Sequence, residues 1–171
     1  MPAGFTVPPL STEVIYASAA NVRARLRPLM GDGPWVPIAQ IYEALHVILP
    51  NFRFEVCERE ELGDDHGQTF PEIPLIKLRR DVYDGMCEGN GRDRFTGAHE
   101  LGHLFLHNSA GFARRILAPG APRYMDSEWQ ANTFASAFLI EERHLASCRC
   151  LEDVQRTFGV SAPAARVRFK K

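Results

Sequence analysis

Five consecutive residues, His99-Glu100-Leu101-Gly102-His103, constrain this chain more than any other stretch. They sit in a segment that reads as helix. At 3.6 residues per turn, side chains four apart differ by only about 40° and about 6 Å, so both imidazoles can face one metal ion. Glu100 points to another part of that surface. It cannot easily join the ligand set, yet it is close enough to take a proton from water at the metal, the general-base role. Chance is a weak competitor: with six histidines in 171 residues, H-E-x-x-H is expected roughly 0.02 times. The other alternative is a helix whose histidines are ordinary surface or core side chains.

A catalytic zinc site normally takes three protein ligands and keeps a fourth position open. The third could come from His107, His66, His144, the carboxylates of the Asp126/Glu128 region, or the cysteines. His107 continues the four-residue ladder from His103, but a third ligand on the same straight helix lies about 12 Å from the first, too far for one tetrahedral ion. A ligand from a second helix is geometrically more natural. Glu128 and Asn132 lie four apart on one face of the next helical segment, and Glu128 is the preferred third ligand.

Composition limits what else the chain can be. Its 171 residues, 45% of them hydrophobic, suit one compact domain with a real core. Twenty basic residues nearly balance 21 acidic ones, so no global field draws the protein to nucleic acid or to an anionic membrane. No run approaches a membrane span. The first basic residue is Arg23, and Pro8, Pro9, Ser11 and Glu13 interrupt the early apolar stretches, unlike a secretory signal. Cys57, Cys87, Cys148 and Cys150 are therefore expected as reduced thiols in a cytoplasm, and Cys148-x-Cys150 has no second Cys or His pair nearby to complete a metal site.

The apolar spacing predicts an α+β fold, helices packed on a small sheet. Residues 11–30 read as a packing helix stopped by Gly31-Asp32-Gly33-Pro34, and Pro37 suits the first turn of a second helix that ends at Pro50-Asn51. Phe52, Phe54 and Val56 alternate with polar residues as a strand does. Residues 58–68 read as a loop, 73–78 as a second strand that Pro74 places at a strand start or a sheet edge, and 81–93 as another loop. Thr96 is the expected cap of the helix carrying His99 and His103, which runs to about His107. Residues 127–140 are helical, and two short helices flank Gly159. We expect a single domain over residues 1–171, with 1–35 as an N-terminal helical extension and 150–171 as a C-terminal helical closure.

Two segments together resemble the ImmA/IrrE-like metallopeptidases. They are Arg94-Phe95-Thr96-Gly97-Ala98-His99-Glu100-Leu101-Gly102-His103-Leu104-Phe105-Leu106-His107 and Glu128-x-x-Ala131-Asn132-x-Phe134-Ala135, and the pair is far more specific than H-E-x-x-H alone. The resemblance covers roughly residues 37–171. It implies a zincin-like domain, His99 and His103 as Zn2+ ligands, Glu128 as the third ligand, Glu100 as the catalytic glutamate, and Asn132 supporting the ligands. It also implies narrow peptidase specificity toward a cytoplasmic regulator, such as a helix-turn-helix repressor or an antitoxin. Two departures stand out: Leu139-Ile140-Glu141 replaces a Met-Pro common in the family, and the metzincin extension is absent, because His107 follows His103 by four residues.

Tyr124 and His144 flank the second helix and are candidate donors to a developing oxyanion. Leu101, Leu104, Phe105, Phe134, Phe138 and Leu139 read as core. Two other function classes compete with the peptidase. The segment ending in Arg166, Arg168, Lys170 and Lys171 has the rhythm of a helix, a glycine turn and a second helix, as a DNA-binding module would. A zinc site that binds a partner without cleaving it is the other. Oligomeric state is left open by the sequence.

Overall fold

The computed structural model describes residues 4–108 and 115–169. The fold is α+β. Ser11 starts α1 (Thr12–Met30), its side chain accepting the Val14 N–H, and Gly31 at φ 73° stops it. Ile15, Ala19, Val22 and Leu26 form its buried stripe, which packs on the helix Ser127–Leu139. Val36 and α2 (Ile38–Ala44) follow, with Pro37 at the N-cap rather than inside the first turn. A 3-10 turn at Leu45–Val47 then leads to β2 (Arg53–Cys57).

The main sheet has three strands in the order β2-β4-β3. β2 runs parallel to β4 (Leu75–Arg79), and β3 (Gly67–Phe70) pairs antiparallel with it. Pro74 precedes β4 and its carbonyl accepts the Arg53 N–H, so it marks a strand start, but the strand it starts is central and not an edge. The expected loop at 58–68 contains a short helix, α3 (Arg59–Leu62), and the first residues of β3. β3 has no apolar alternation; its four residues are all half-buried and all four line a cleft.

The expected loop at 81–93 is mostly helix, α4 (Arg80–Cys87), with Val82 and Met86 buried four apart. Its Gly85 suggested a loop, yet serves a close approach: a Cβ there would sit 2.0 Å from Asp93 Oδ2. The metal-motif helix α5 (Gly91–Leu106) is capped by Asn90, whose side chain accepts from Arg92 N and Asp93 N, and not by Thr96. Thr96 lies inside the helix and returns its hydroxyl to Arg92 O. Asp126 caps α6 (Ser127–Leu139), and α7 (Glu142–Leu145), α8 (Leu151–Phe158) and α9 (Ala162–Arg168) complete the chain. Gly159, at φ 60° and ψ 47°, makes the left-handed turn between α8 and α9. A two-residue ladder between β1 (Phe5–Thr6) and β5 (Arg115–Ile116) was not anticipated by the pattern of apolar residues.

One buried cluster runs from Ile15 in α1 through Ile41, Leu101, Phe134 and Phe138 to Val154 and Ala165. Leu101, Leu104, Phe134, Phe138 and Leu139 are core as expected, and Phe105 packs against it partly exposed. Arg94 pins α5 inside this core. It is 1% exposed, donates to Phe158 O at 2.7 Å, to Gly159 O and to Val36 O at 2.8 Å, and stacks on Trp35 at 3.7 Å. Burial lowers its pKa to about 10. Lys170 and Lys171 lie outside the described residues. Arg168 is not free to read phosphates: it bonds Ile140 O and Glu142 and stacks on Tyr16.

Candidate metal centre

α5 and α6 can approach closely because their contact residues are small. A Cβ on Gly102 would lie 3.1 Å from both Cα and O of Ala131, so backbone meets backbone beside His103. Asp126 accepts the Glu128 N–H at 3.0 Å, which starts α6 with Glu128 in its first turn. A carboxylate there also suits the positive end of the helix. The consequence is that Glu128 reaches across to the two imidazoles of α5.

Glu128 Oε2 lies 3.3 Å from His99 Nε2 and Glu128 Oε1 lies 3.2 Å from His103 Nε2. The two Nε2 atoms are 3.0 Å apart. Donors on a tetrahedron around zinc, at about 2.0–2.1 Å from the ion, are about 3.3 Å from one another, so this triplet has the spacing such an ion requires. Among the described residues it is the one group of three or more His, Cys, Asp or Glu side chains so disposed. The donor chemistry fits as well, two imidazoles and a carboxylate. Asn132 Oδ1 lies 3.0 Å from His99 Nδ1 and accepts its proton, which leaves Nε2 as the nitrogen that faces Glu128.

The electrostatics are those of a tightly coupled site. Burial alone would lower the His99 pKa, but the Glu128 and Glu100 carboxylates outweigh it and the net shift is upward. Burial alone would raise Glu128, yet hydrogen bonds and charge from the two imidazoles hold it far below the usual carboxylate range. His107 stands behind His103, and burial and the neighbouring imidazole lower its pKa to about 4.

Glu100 is not one of the three clustered donors. It is 6% exposed, and Thr69 Oγ1 on β3 donates to its Oε2 at 2.6 Å and to its backbone carbonyl at 3.2 Å. Gly67 makes room for it: a Cβ there would come within 2.9–3.0 Å of Glu100 Cγ, Cδ and Oε1. Neither Thr69 nor Gly67 was singled out from the sequence. A short strand without an apolar rhythm carries no local signal of what it faces.

The triplet and Glu100 open on a cleft of about 1090 Å³, walled by residues 5–7, the segment 64–72, the exposed faces of α5 and α6, and α9. The remaining candidate ligands fall elsewhere. His66 reaches the cleft rim, where Arg92 Nη2 approaches its Nε2 at 3.0 Å. Asp126 is used as a cap. His144 sits 3.7 Å from Glu141, Cys148 is buried beside Thr157, and Cys150 is exposed. Tyr124 is 47% exposed. Neither it nor His144 lines the cleft, so both are set aside as oxyanion donors; Arg92, His66, Arg123 and Thr133 do line it. Where Leu139-Ile140-Glu141 departs from the family pattern, α6 ends and Glu141 binds Arg23 at 3.1 Å and Arg143 at 2.8 Å.

No helix among the described residues is long and apolar enough to cross a membrane. A comparison with curated proteins finds no match. The family model for the IrrE N-terminal-like domain matches residues 85–170, a span that holds α5, α6, the three clustered side chains and both segments of the resemblance. With half of its length matched, the chain belongs to the M78 peptidase family, a family of metallopeptidase type.

Proposed function

We propose that this chain is a zinc-dependent endopeptidase of narrow specificity that cleaves a cytoplasmic regulatory protein, such as a helix-turn-helix repressor or an antitoxin. The observation that carries this reading is the placement of Glu100. It sits one residue from a ligand-spaced histidine, buried and oriented by Thr69, on a cleft large enough for a peptide. A packing helix has no need of a carboxylate held in that way. His99, His103 and Glu128 would hold the ion, and the absence of a thiolate from the set favours zinc of the catalytic kind.

Such an ion, when bound, supplies Lewis acidity, lowering the pKa of a water to about 7 and polarising a carbonyl oxygen. Glu100 takes the proton released as the water attacks the peptide carbonyl and passes it to the departing amine, acting first as base and then as acid. Thr69 holds Oε2, so Oε1 is the oxygen that exchanges the proton. Asn132 keeps His99 in its ligating tautomer. Four free cysteines suit a reducing compartment.

Incubation of the zinc-loaded protein with regulators encoded beside its gene tests the reading, with Glu100→Gln as the control. The expected result is cleavage of one regulator, abolished by the substitution while zinc is retained. Zinc retention with no cleavage of any of them would move the reading to a partner-binding module. Arg168 lends no support to DNA binding, because its side chain is 7% exposed and already paired.

A further inference from the structure

The polar contacts of the metal centre continue past His103. Its Nδ1 lies 3.1 Å from His107 Nδ1, and His107 Nε2 lies 3.1 Å from Gln130 Oε1. Gln130 is fully buried, and its Nε2 donates to Pro8 O and to Tyr124 O, both at 2.8 Å. Pro8 directly follows residues 5–7, which wall the cleft, and Tyr124 belongs to the 3-10 turn before α6.

Proton positions along this string are fixed from both ends. At the far end, two backbone carbonyls can only accept, so Gln130 must turn its NH2 group to them and its Oε1 to His107. That oxygen in turn requires an N–H at His107 Nε2. At the near end, an ion on His103 Nε2 uses the lone pair there, so the neutral ring carries its proton on Nδ1 and must donate to His107. Both demands select the same state of His107, protonated at Nε2 and bare at Nδ1. His99 reaches the equivalent arrangement in one step, through Asn132.

We propose that His107 and Gln130 are positioning residues that hold His103 in the Nε2-ligating tautomer, with Pro8 O and Tyr124 O setting the direction of the string. This rests on His103 as a metal ligand and is independent of whether the chain cleaves protein.

The test uses the full chain and reads the imidazole 15N shifts of the Zn2+-loaded protein, Zn2+ affinity by chelator competition, and the visible spectrum of the Co2+ form. The expected tautomers are Nε2–H for His107 and Nδ1–H for His103. His107→Phe should weaken Zn2+ binding by roughly 10- to 100-fold and alter the Co2+ spectrum. His107→Asn, whose Oδ1 can replace the Nδ1 acceptor, should restore affinity to within about threefold. Gln130→Leu should weaken binding and add little to His107→Phe. His107 found as the Nδ1–H tautomer, or a folded His107→Phe with wild-type affinity and spectrum, would overturn the proposal. Should the Phe variant fail to fold, the tautomer measured in the wild-type protein decides.

Discussion

Replacing Gly67 with alanine separates what holds the fold from what does the chemistry. The new Cβ would lie 2.9–3.0 Å from Glu100 Cγ, Cδ and Oε1, whereas ordinary carbon contacts begin near 3.5 Å. The carboxylate must therefore move by about 0.5 Å, which is also the tolerance within which a catalytic group has to be held. Since a misplacement of about 1 Å can cost 100-fold, kcat/KM should fall by roughly 10- to 100-fold. Stability should change little. Gly67 is not among the positive-φ glycines, so the backbone tolerates alanine and restricting the unfolded chain gains about 0.4–1 kcal/mol, which the displacement of Glu100 offsets. Zinc affinity should be unchanged, because Glu100 is not a ligand. Peptide hydrolysis, thermal melting and zinc competition on the same preparation check this. Wild-type kcat/KM, or a loss of zinc binding parallel to the loss of activity, would refute the role assigned to Glu100.

Three other outcomes follow from the packing and the charges. Gly102→Val should force α5 away from Ala131, costing about 1–3 kcal/mol by overpacking and weakening zinc binding, as read by melting and chelator competition. Arg94→Met strips three backbone carbonyls of their donor and should cost about 3 kcal/mol, lowering Tm by about 6–12 °C. For the metal-free protein, burial beside His103 holds the folded pKa of His107 at about 4, below the ordinary imidazole value of about 6.5. The unfolded chain therefore binds more protons between those values and stability rises with pH across that window, by at most on the order of 3 kcal/mol. His107→Asn should remove that rise in denaturant titrations. His99, raised by its carboxylate neighbours, contributes with the opposite sign: its stabilisation is complete below its unfolded pKa and is lost as pH climbs through the folded one.

The cluster of His99, His103 and Glu128 was legible because it is written in helical spacing. At 3.6 residues per turn an interval of four aligns His99 with His103, and the same interval aligns Glu128 with Asn132, so each pair can be placed from sequence before any contact is known. What was not legible depends on distant approach. β3 has no apolar alternation, and only its pairing with β4 brings Thr69 and Gly67 against Glu100. Gly85 and Asn90 read as loop residues, but the glycine makes space for Asp93 and the asparagine caps α5. Thr96 shows the converse: its type suits a cap, but Asn90 stands six residues earlier, where the helix actually begins. Gln130 carried no signal at all. Its importance comes from two carbonyls contributed by Pro8 and Tyr124, which no local pattern relates to His107.

The most direct test of the metal centre is diffraction from zinc-loaded crystals, recorded with anomalous data at the zinc edge. One peak per chain is expected among His99 Nε2, His103 Nε2 and the Glu128 carboxylate, with ligand distances of about 2.0–2.2 Å. A peak ligated elsewhere, or an empty triplet in protein saturated with zinc, would contradict the account.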